Sequence, residues 1–347
     1  MKKKKRVAAM LILLMVALVC GACGPAPGVD SGSGGGGEKK DYSNVNMSDL
    51  TIGWSQRGMT LAWWEAQVNA GVELAKELGV KDVIVLDAQN KPEKQLSDIE
   101  DLIARKVDFI IVDACDPTAI KSALDNAIAA GIPVVAVDSS INPDEVAIVS
   151  FITSDNYTIG YNTGYALAQA WGKAAGANAV VMSGAMGDVE GYQRRTGFIA
   201  GFSEYQYEKF GSCDINVLAQ RYAGDWDADR AMNQMQDIFT KYPGQVDILF
   251  SEGDAMAIGC LNAVELAGAK LPLIGSVDGQ REALQLVKDN KITAIGVNSA
   301  RLIGQTAIKV IQSYMAGEAI PKKIMVDSPT IIKDNVDQYY DPNLPFL

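Results

Sequence analysis

The sequence predicts two open α/β units of similar size, each a parallel sheet with helices on both faces. Three observations predict it. Short apolar runs rich in Val and Ile recur along the chain, helix-like amphipathic segments separate them, and a second such series follows the first. A length of 347 residues suits two domains, and the composition is that of a folded protein. Two units, each too small to enclose a ligand, create a cleft where they face each other.

Taken in order, the chain opens with MKKKKR, a basic n-region, followed by the apolar run VAAMLILLMVALV. Gly21 and Ala22 then precede Cys23. The segment resembles a bacterial lipoprotein signal over 1–22, in which cleavage falls before a cysteine that takes the lipid, here Cys23. Cys20 stands where such signals usually have Leu. An uncleaved anchor is the alternative, but the apolar run is shorter than the roughly 20 residues that a spanning helix needs. Either way the body lies outside the cytoplasm, on the outer face of the cell membrane. Residues 23–47 include GPAPGVDSGSGGGGEKK, which has almost nothing to bury and reads as a flexible tether. Its glycines follow no strand and open no helix, so they are not a dinucleotide fingerprint.

The first α/β series has strands over 83–86, 109–113, 134–138 and 146–152 and helices over 63–78, 94–105 and 118–130. It starts at TIGWSQRGMTLAWWEAQVNAG, residues 51–71: an apolar strand, a polar loop with Gln56 and Arg57, then Trp63 and Trp64 as a helix begins. Helix neighbours point about 100° apart, so at most one of the two indoles faces straight into the core. The other is either half-exposed or the wall of a cleft. The second series has strands over 179–182, 215–219, 247–250, 273–277 and 293–297. Helices are expected at 195–205, 228–240, 255–267 and 281–288.

Composition removes several function classes. Lys and Arg total 31 against 42 Asp and Glu, and five of the positive charges lie in the first six residues. Without that segment the net charge is −16, from 26 positive against 42 negative, which argues against a nucleic-acid partner. There is no histidine, so His-based triads, His general bases and His-ligated metals are excluded together. Cys115, Cys213 and Cys260 are isolated and are expected to be small buried hydrophobes, with no disulfide framework. No metal and no cofactor are expected.

Polar residues gather at the carboxyl ends of the predicted strands: Gln56 and Arg57, Asp87, Asp113, Asp138, Glu252 and Asp254, Asp278 and Asn298. Each alone is a common turn former or helix cap, and their repetition is the signal. Carboxylates accept from adjacent hydroxyls, Arg and Asn donate, and Trp faces cover the C–H side of a sugar ring. Trp226 either adds a second aromatic wall or staples the start of its helix, with Asp227 as cap.

At these residues the sequence resembles the periplasmic sugar-binding proteins of ribose-binding type. The resemblance runs over about 50–341 and rests on VIVLDAQNKPEKQLSDIEDLIARKVDFIIV, AIAAGIPVVAVD, TSDNYTIGYNTG, RRTGF and LFSEGDAMAIGCLNAVELAG. It implies two Rossmann-like lobes joined by a three-crossing hinge, with crossings near 153–155, 298–301 and 327–329. The first lobe would be 48–153 plus 299–327 and the second 154–298 plus 328–342. It also implies that Trp63 and Trp64 stack on the sugar from one lobe and Trp226 from the other. Asp138, Arg194, Asp278 and Asn298 would bind its hydroxyls, with Arg57 and Glu252 beside them. Four positions depart from the family's pentose binders: Ser139 replaces Arg, Gly253 replaces Asn, Leu61 replaces Asn, and Arg57 replaces a small polar residue.

The expected function is a monomeric, lipid-anchored receptor that binds a monosaccharide and delivers it to the permease of an ABC importer. The same module could instead serve a membrane sensor kinase or chemoreceptor, or hold a non-sugar polyol-like ligand. Enzymatic use of Glu252 and Asp254 as an acid and base pair is disfavoured, because no nucleophile elbow, phosphate loop or metal cluster accompanies them.

Overall fold

The structure, a computed structural model, describes residue 42 and residues 44–347 apart from 140, 175 and 271. The expected export signal, Cys20, Cys23 and most of the expected tether lie outside the described residues.

The first lobe is built from β1 (Thr51–Gln56), α1 (Ala62–Glu77), β2 (Asp82–Asp87), α2 (Pro92–Ala104), β3 (Phe109–Val112), α3 (Pro117–Ala129), β4 (Val134–Val137) and β5 (Ser150–Thr153). Its central strands read FIIV and VVAV and are buried at every position, as strands covered on both faces must be. Alternate residues of β3 serve opposite layers. Ile110 and Val112 meet Ile99, Leu102 and Ile120 of α2 and α3, while Phe109 and Ile111 meet Trp54 and the helix α9 (Ala300–Met315). Helix α3 starts where the sequence caps it: Asp116 accepts from the N–H groups of Thr118 and Ala119, and Pro117 occupies the first turn.

The second lobe holds α4 (Asn156–Trp171), β6 (Ala177–Ser183), α5 (Val189–Phe210), β7 (Ile215–Tyr222), α6 (Ala228–Lys241), β8 (Ile248–Ser251), α7 (Asp254–Leu266), β9 (Leu273–Asp278), α8 (Arg281–Lys288) and β10 (Ala294–Val297). After β10 the chain returns to the first lobe for α9 and the edge strand β11 (Lys323–Met325), which pairs in parallel with β5. It then crosses back, and β12 (Thr330–Ile332) pairs with β10. The sheet orders are β11-β5-β4-β3-β1-β2 and β12-β10-β9-β8-β6-β7, so the chain passes between the lobes three times. The second sheet is not wholly parallel: β12 runs antiparallel, because the returning chain enters the sheet edge from the hinge side.

Several elements differ from the sequence reading. Helix α5 begins at Val189 rather than 195, β5 begins at Ser150 rather than 146, and helix α4 has no counterpart among the expected helices. The reason for the last is glycine. A Cβ at Gly160 would lie 1.9 Å from the carbonyl oxygen of Arg194, and one at Gly197 would lie 2.2 Å from that of Tyr157. Glycines weaken the helical signal of α4, yet they let it cross α5 at backbone contact. Arg194 is thereby anchored against the helix that follows the first crossing.

The cysteines also differ from expectation. Cys260 is buried, Cys115 is half-buried with its thiol pushed up to about 12 by burial, and Cys213 is exposed. Cys213 lies in the α5–β7 connection, where the GSCD turn leaves nothing to cover it.

Candidate functional site

The carboxyl ends of both sheets face one cavity of about 140 Å³ between the lobes. Cavities of about 150 Å³ hold a single benzene-sized ring, so this one takes a molecule of one ring.

Its aromatic walls come from both lobes. Trp63 and Trp64 both line it and are both buried, so the indole that does not face the core meets the cleft instead of solvent. Trp63 Nε1 donates to the backbone oxygen of Asn298 at 2.9 Å, tying the start of α1 to the second crossing. The Arg57 guanidinium lies 5.0 Å from the Trp64 ring centroid, and its Nη1 donates to Ser139 Oγ at 2.9 Å. Opposite stands Trp226, at φ 61, a backbone region that bulky residues rarely adopt. A Cβ at Gly184 would fall 2.4 Å from the Trp226 ring, so the indole rests on bare backbone. Asp227 still caps α6, accepting from Arg230 N at 2.7 Å, so Trp226 is a wall of the cavity and its neighbour a cap.

Polar groups surround the walls. Arg194 is 4% exposed; its Nε donates to Asn156 Oδ1 at 2.8 Å, its Nη1 to the Glu252 backbone oxygen at 2.7 Å, and Nη1 lies 3.6 Å from Asp278 Oδ1. Asp138 and Asp278 have positive φ, 55 and 128, which turns each side chain out of its strand end. Beneath the first-lobe wall runs a buried relay: Trp54 Nε1 donates to Gln56 Oε1 at 3.0 Å, and Gln56 Nε2 to Asp113 Oδ2 at 2.7 Å.

The cavity is unusual in its acids. Asp138, Asp188, Glu190 and Asp278 line it together with Arg57 and Arg194. Burial, then Asp113 and Glu190, push the Asp138 carboxyl well above the usual range, against the pull of Arg194 and Arg57. Burial raises Asp278 to about 6 although Arg194 opposes it. Glu190 is pushed up to about 7 by burial and by the hydrogen bond its side chain shares with Asp188. Burial works against Asp188 as well, but that bond, Arg194 and Arg57 hold it below its usual range.

A family profile described as a periplasmic binding protein domain matches residues 52–319. The chain belongs to the periplasmic binding protein family. This binding protein is 30% identical over 286 residues to the ribose import binding protein of Bacillus subtilis, covering 82% of this chain and 88% of the relative. Among solved structures, an ABC transporter solute binding protein of Mycobacterium smegmatis with bound glycerol matches with a TM-score of 0.76 at 25% identity, covering 86% of this chain and 99% of that one. An ABC transporter periplasmic solute binding protein of Actinobacillus succinogenes with bound D-allose gives a TM-score of 0.75 at 27% identity, covering 84% and 100%. These relatives are binding proteins, not enzymes.

Of the residues the sequence pointed to, the binding protein brings Trp63, Trp64, Arg57, Asp138, Arg194, Trp226, Asp278 and Asn298 onto the cavity. Glu252 is the correction. It does not line the cavity, because its carboxylate accepts from Ser183 Oγ at 2.8 Å, Gly184 N at 3.1 Å and Arg195 Nη1 at 3.1 Å. Those bonds draw it under the Gly184 turn, while its backbone oxygen receives Arg194. Asp254 is likewise turned inward, accepting from Ser276 Oγ and from Gly279 N and Gln280 N, both at 2.8 Å. Neither acid of that pair can act on a molecule in the cleft. Sequence reasoning missed Asp188, Glu190, Met256, Gln280 and Phe346. Asp188 had a signal, since Asp188-Val189-Glu190 after Gly187 is a helix-start pattern, and Asp188 does cap α5. Phe346 had none: it reaches the cavity through a bridge to Gln280, far from any periodic segment.

Proposed function

We propose that the protein is a membrane-tethered extracytoplasmic receptor that binds a monosaccharide or related polyol between its lobes and delivers it to an ABC importer, acting as a monomer. The observation that carries this reading is the cavity: ring-sized, walled by indoles from both lobes, and edged by carboxylates, guanidinium groups and an amide. Indole faces suit the C–H side of a sugar, and the polar edge suits its hydroxyls. The 30% identical relative is a ribose import binding protein, and a 27% identical structure holds D-allose, which supports the ligand class. Ribose itself is not the ligand proposed, because Ser139, Gly253, Leu61 and Arg57 change the polar edge that a pentose would meet.

The lobes are taken as 48–153 plus 299–327 and 154–298 plus 328–342. Because Trp63 and Asp138 belong to one and Trp226, Arg194 and Asp278 to the other, a ligand touching both favours the closed arrangement. The importer would read that arrangement. A thermal-shift screen of the mature protein against aldoses, ketoses and alditols at millimolar concentration tests the reading. A true ligand at a hundredfold of its Kd adds about 2.7 kcal/mol of stability. A screen in which no member raises Tm overturns the reading.

Anchoring is proposed at Cys23, the small-residue cleavage site after the apolar run. Membrane-expressed protein is expected to partition into Triton X-114, and Cys23→Ala to abolish lipid attachment and leave it in the aqueous phase if processed. Continued partitioning of a processed Cys23→Ala protein would refute lipidation there.

A further inference from the structure

Residues 343–347, NLPFL, lie beyond the residues 52–319 that the family profile matches and beyond 342, the expected end of the second lobe. Their backbone is bonded to one helix start from each lobe. Pro345 O accepts from the N–H of Arg281, the first residue of α8, at 2.9 Å, and Leu347 O accepts from the N–H of Arg301, in the first turn of α9, at 3.4 Å. First-turn N–H groups have no partner within their own helix, so one short segment satisfies an open donor in both lobes. Leu347 N also donates to Gly279 O at 3.2 Å, and Phe346 forms an antiparallel bridge with Gln280. In the turn before the segment, Asp341 Oδ1 accepts from Asn343 N at 2.8 Å. Pro345 restricts its own backbone and that of Leu344, so little freedom is lost when the segment docks.

The side chains divide in the same way. Phe346 is 5% exposed and belongs to the apolar cluster of Trp54, Trp63 and Ile303 in the first lobe, whereas Leu347 packs against the second-lobe cluster of Met256, Leu284 and Val297. Neighbours on an extended segment point to opposite sides, which sends one to each lobe. Phe346 also lines the cavity, as does Gln280, the residue it bridges. The turn they share carries Asp278 and Gly279 at φ 128 and 96, and Asp254 Oδ2 holds it from beneath through Gly279 N and Gln280 N. The segment covers this turn from the other side. Its phenyl ring has neither donor nor acceptor, so the part of a ligand that meets it is C–H.

We propose that residues 343–347 complete the binding site as a strap between the lobes beside the second crossing, and that Phe346 touches the ligand there and limits its size. The proposal rests on the reading of the cleft as a sugar or polyol site and names a residue that selects within that class. In a cavity of about 140 Å³, one carbon more or less at the phenyl ring decides fit. Phe346 then acts as a specificity residue, while the indoles hold the faces of the ring. The strap fixes Phe346 in place because its neighbours on both sides are bonded to different lobes.

The test is isothermal calorimetry with matched pairs: aldopentoses, each beside the aldohexose that adds one hydroxymethyl group to the same ring. Phe346→Ala is expected to shift the ratio of Kd values toward the larger member of at least one pair by roughly tenfold or more. Phe346→Leu, which keeps the position apolar, is expected to shift it the same way by less, and it serves if the alanine variant folds poorly. Ratios unmoved in both variants would overturn the role of Phe346 and leave the sugar-receptor reading standing. Amide hydrogen exchange of the ligand-free protein tests the strap separately. Deleting residues 343–347 is expected to speed exchange at both Arg281 and Arg301, and unchanged exchange at either would overturn a strap that joins the lobes. If the original protein binds no sugar or polyol, the receptor reading falls and the role of Phe346 with it, while exchange still decides the strap.

Discussion

Replacing Asp138 by asparagine is expected to weaken ligand binding by roughly tenfold to a hundredfold, the loss of a charge-assisted hydrogen bond, while the unliganded protein becomes no less stable. Asparagine isolates the charge better than alanine does, because position 138 has φ 55 and asparagine tolerates that region. The backbone is held independently: Asp138 N donates to Ile152 O at 2.8 Å, and Thr153 Oγ1 to Asp138 O at 3.2 Å. The direction of the stability change follows from the carboxyl's raised pKa. Burial, Asp113 and Glu190 all favour its protonated form in the folded protein. Between its ordinary pKa and the raised one, the folded state binds more protons than the unfolded state, so this group makes stability fall as pH rises. Removing it removes that slope. The gain in Tm of Asp138→Asn should therefore be larger at pH 8 than at pH 5. Calorimetric titration with the best ligand and melts at the two pH values check both halves. Unchanged affinity would remove Asp138 from the site, and a Tm gain larger at pH 5 would contradict the electrostatic argument.

Arg194 should give the largest effect of any single change. Its guanidinium holds three elements at once: α4 through Asn156, the β8–α7 turn through the Glu252 backbone oxygen, and β9 through Asp278. It also lies 5.4 Å from the Trp226 ring centroid. Arg194→Ala leaves the Asn156 and Glu252 acceptors without this donor and the Asp278 carboxylate without its cation, which costs about 3–5 kcal/mol when a buried pair is broken. Arg194→Lys keeps the charge but gathers its three donors on one nitrogen, where a planar fork reached acceptors on separate elements. The expected outcome for Arg194→Lys is a folded protein whose affinity falls by roughly a hundredfold or more. Measured Kd within threefold of the original would show that Arg194 holds the lobe and not the ligand.

Much of the architecture was legible because it is local. Short runs such as FIIV and VVAV, β-branched and flanked by turn residues, read as strands buried on both faces, and Asp116-Pro117 marks a helix start at the residue where α3 begins. What periodicity could not give was long-range. Nothing in the pattern of 300–325 says that α9 and β11 rejoin the first sheet, and that expectation came only from the family resemblance. Helix α4 and the first turn of α5 were obscured by glycines whose role is a tertiary contact, and with that turn went Asp188 and Glu190. Glu252 shows the converse limit. A carboxylate at a strand end reads as a ligand group, but whether it faces the cleft or the Gly184 turn depends on Ser183 and Arg195, far away in sequence. Trp63 and Trp64 were legible as a pair at a helix start, while their joint burial depends on tertiary contacts, such as Arg57 over Trp64 and the Asn298 backbone at Trp63, that the local pattern does not carry.

A crystal structure of the mature protein with the best ligand of the screens is the most direct test of binding between the lobes. One ring is expected between the indoles of Trp63 and Trp64 on one side and Trp226 on the other, with polar atoms within hydrogen-bond distance of Asp138, Arg194, Asp278 and Asn298 Oδ1. A ligand bound outside this cavity, or one held there without contact to both lobes, would contradict it.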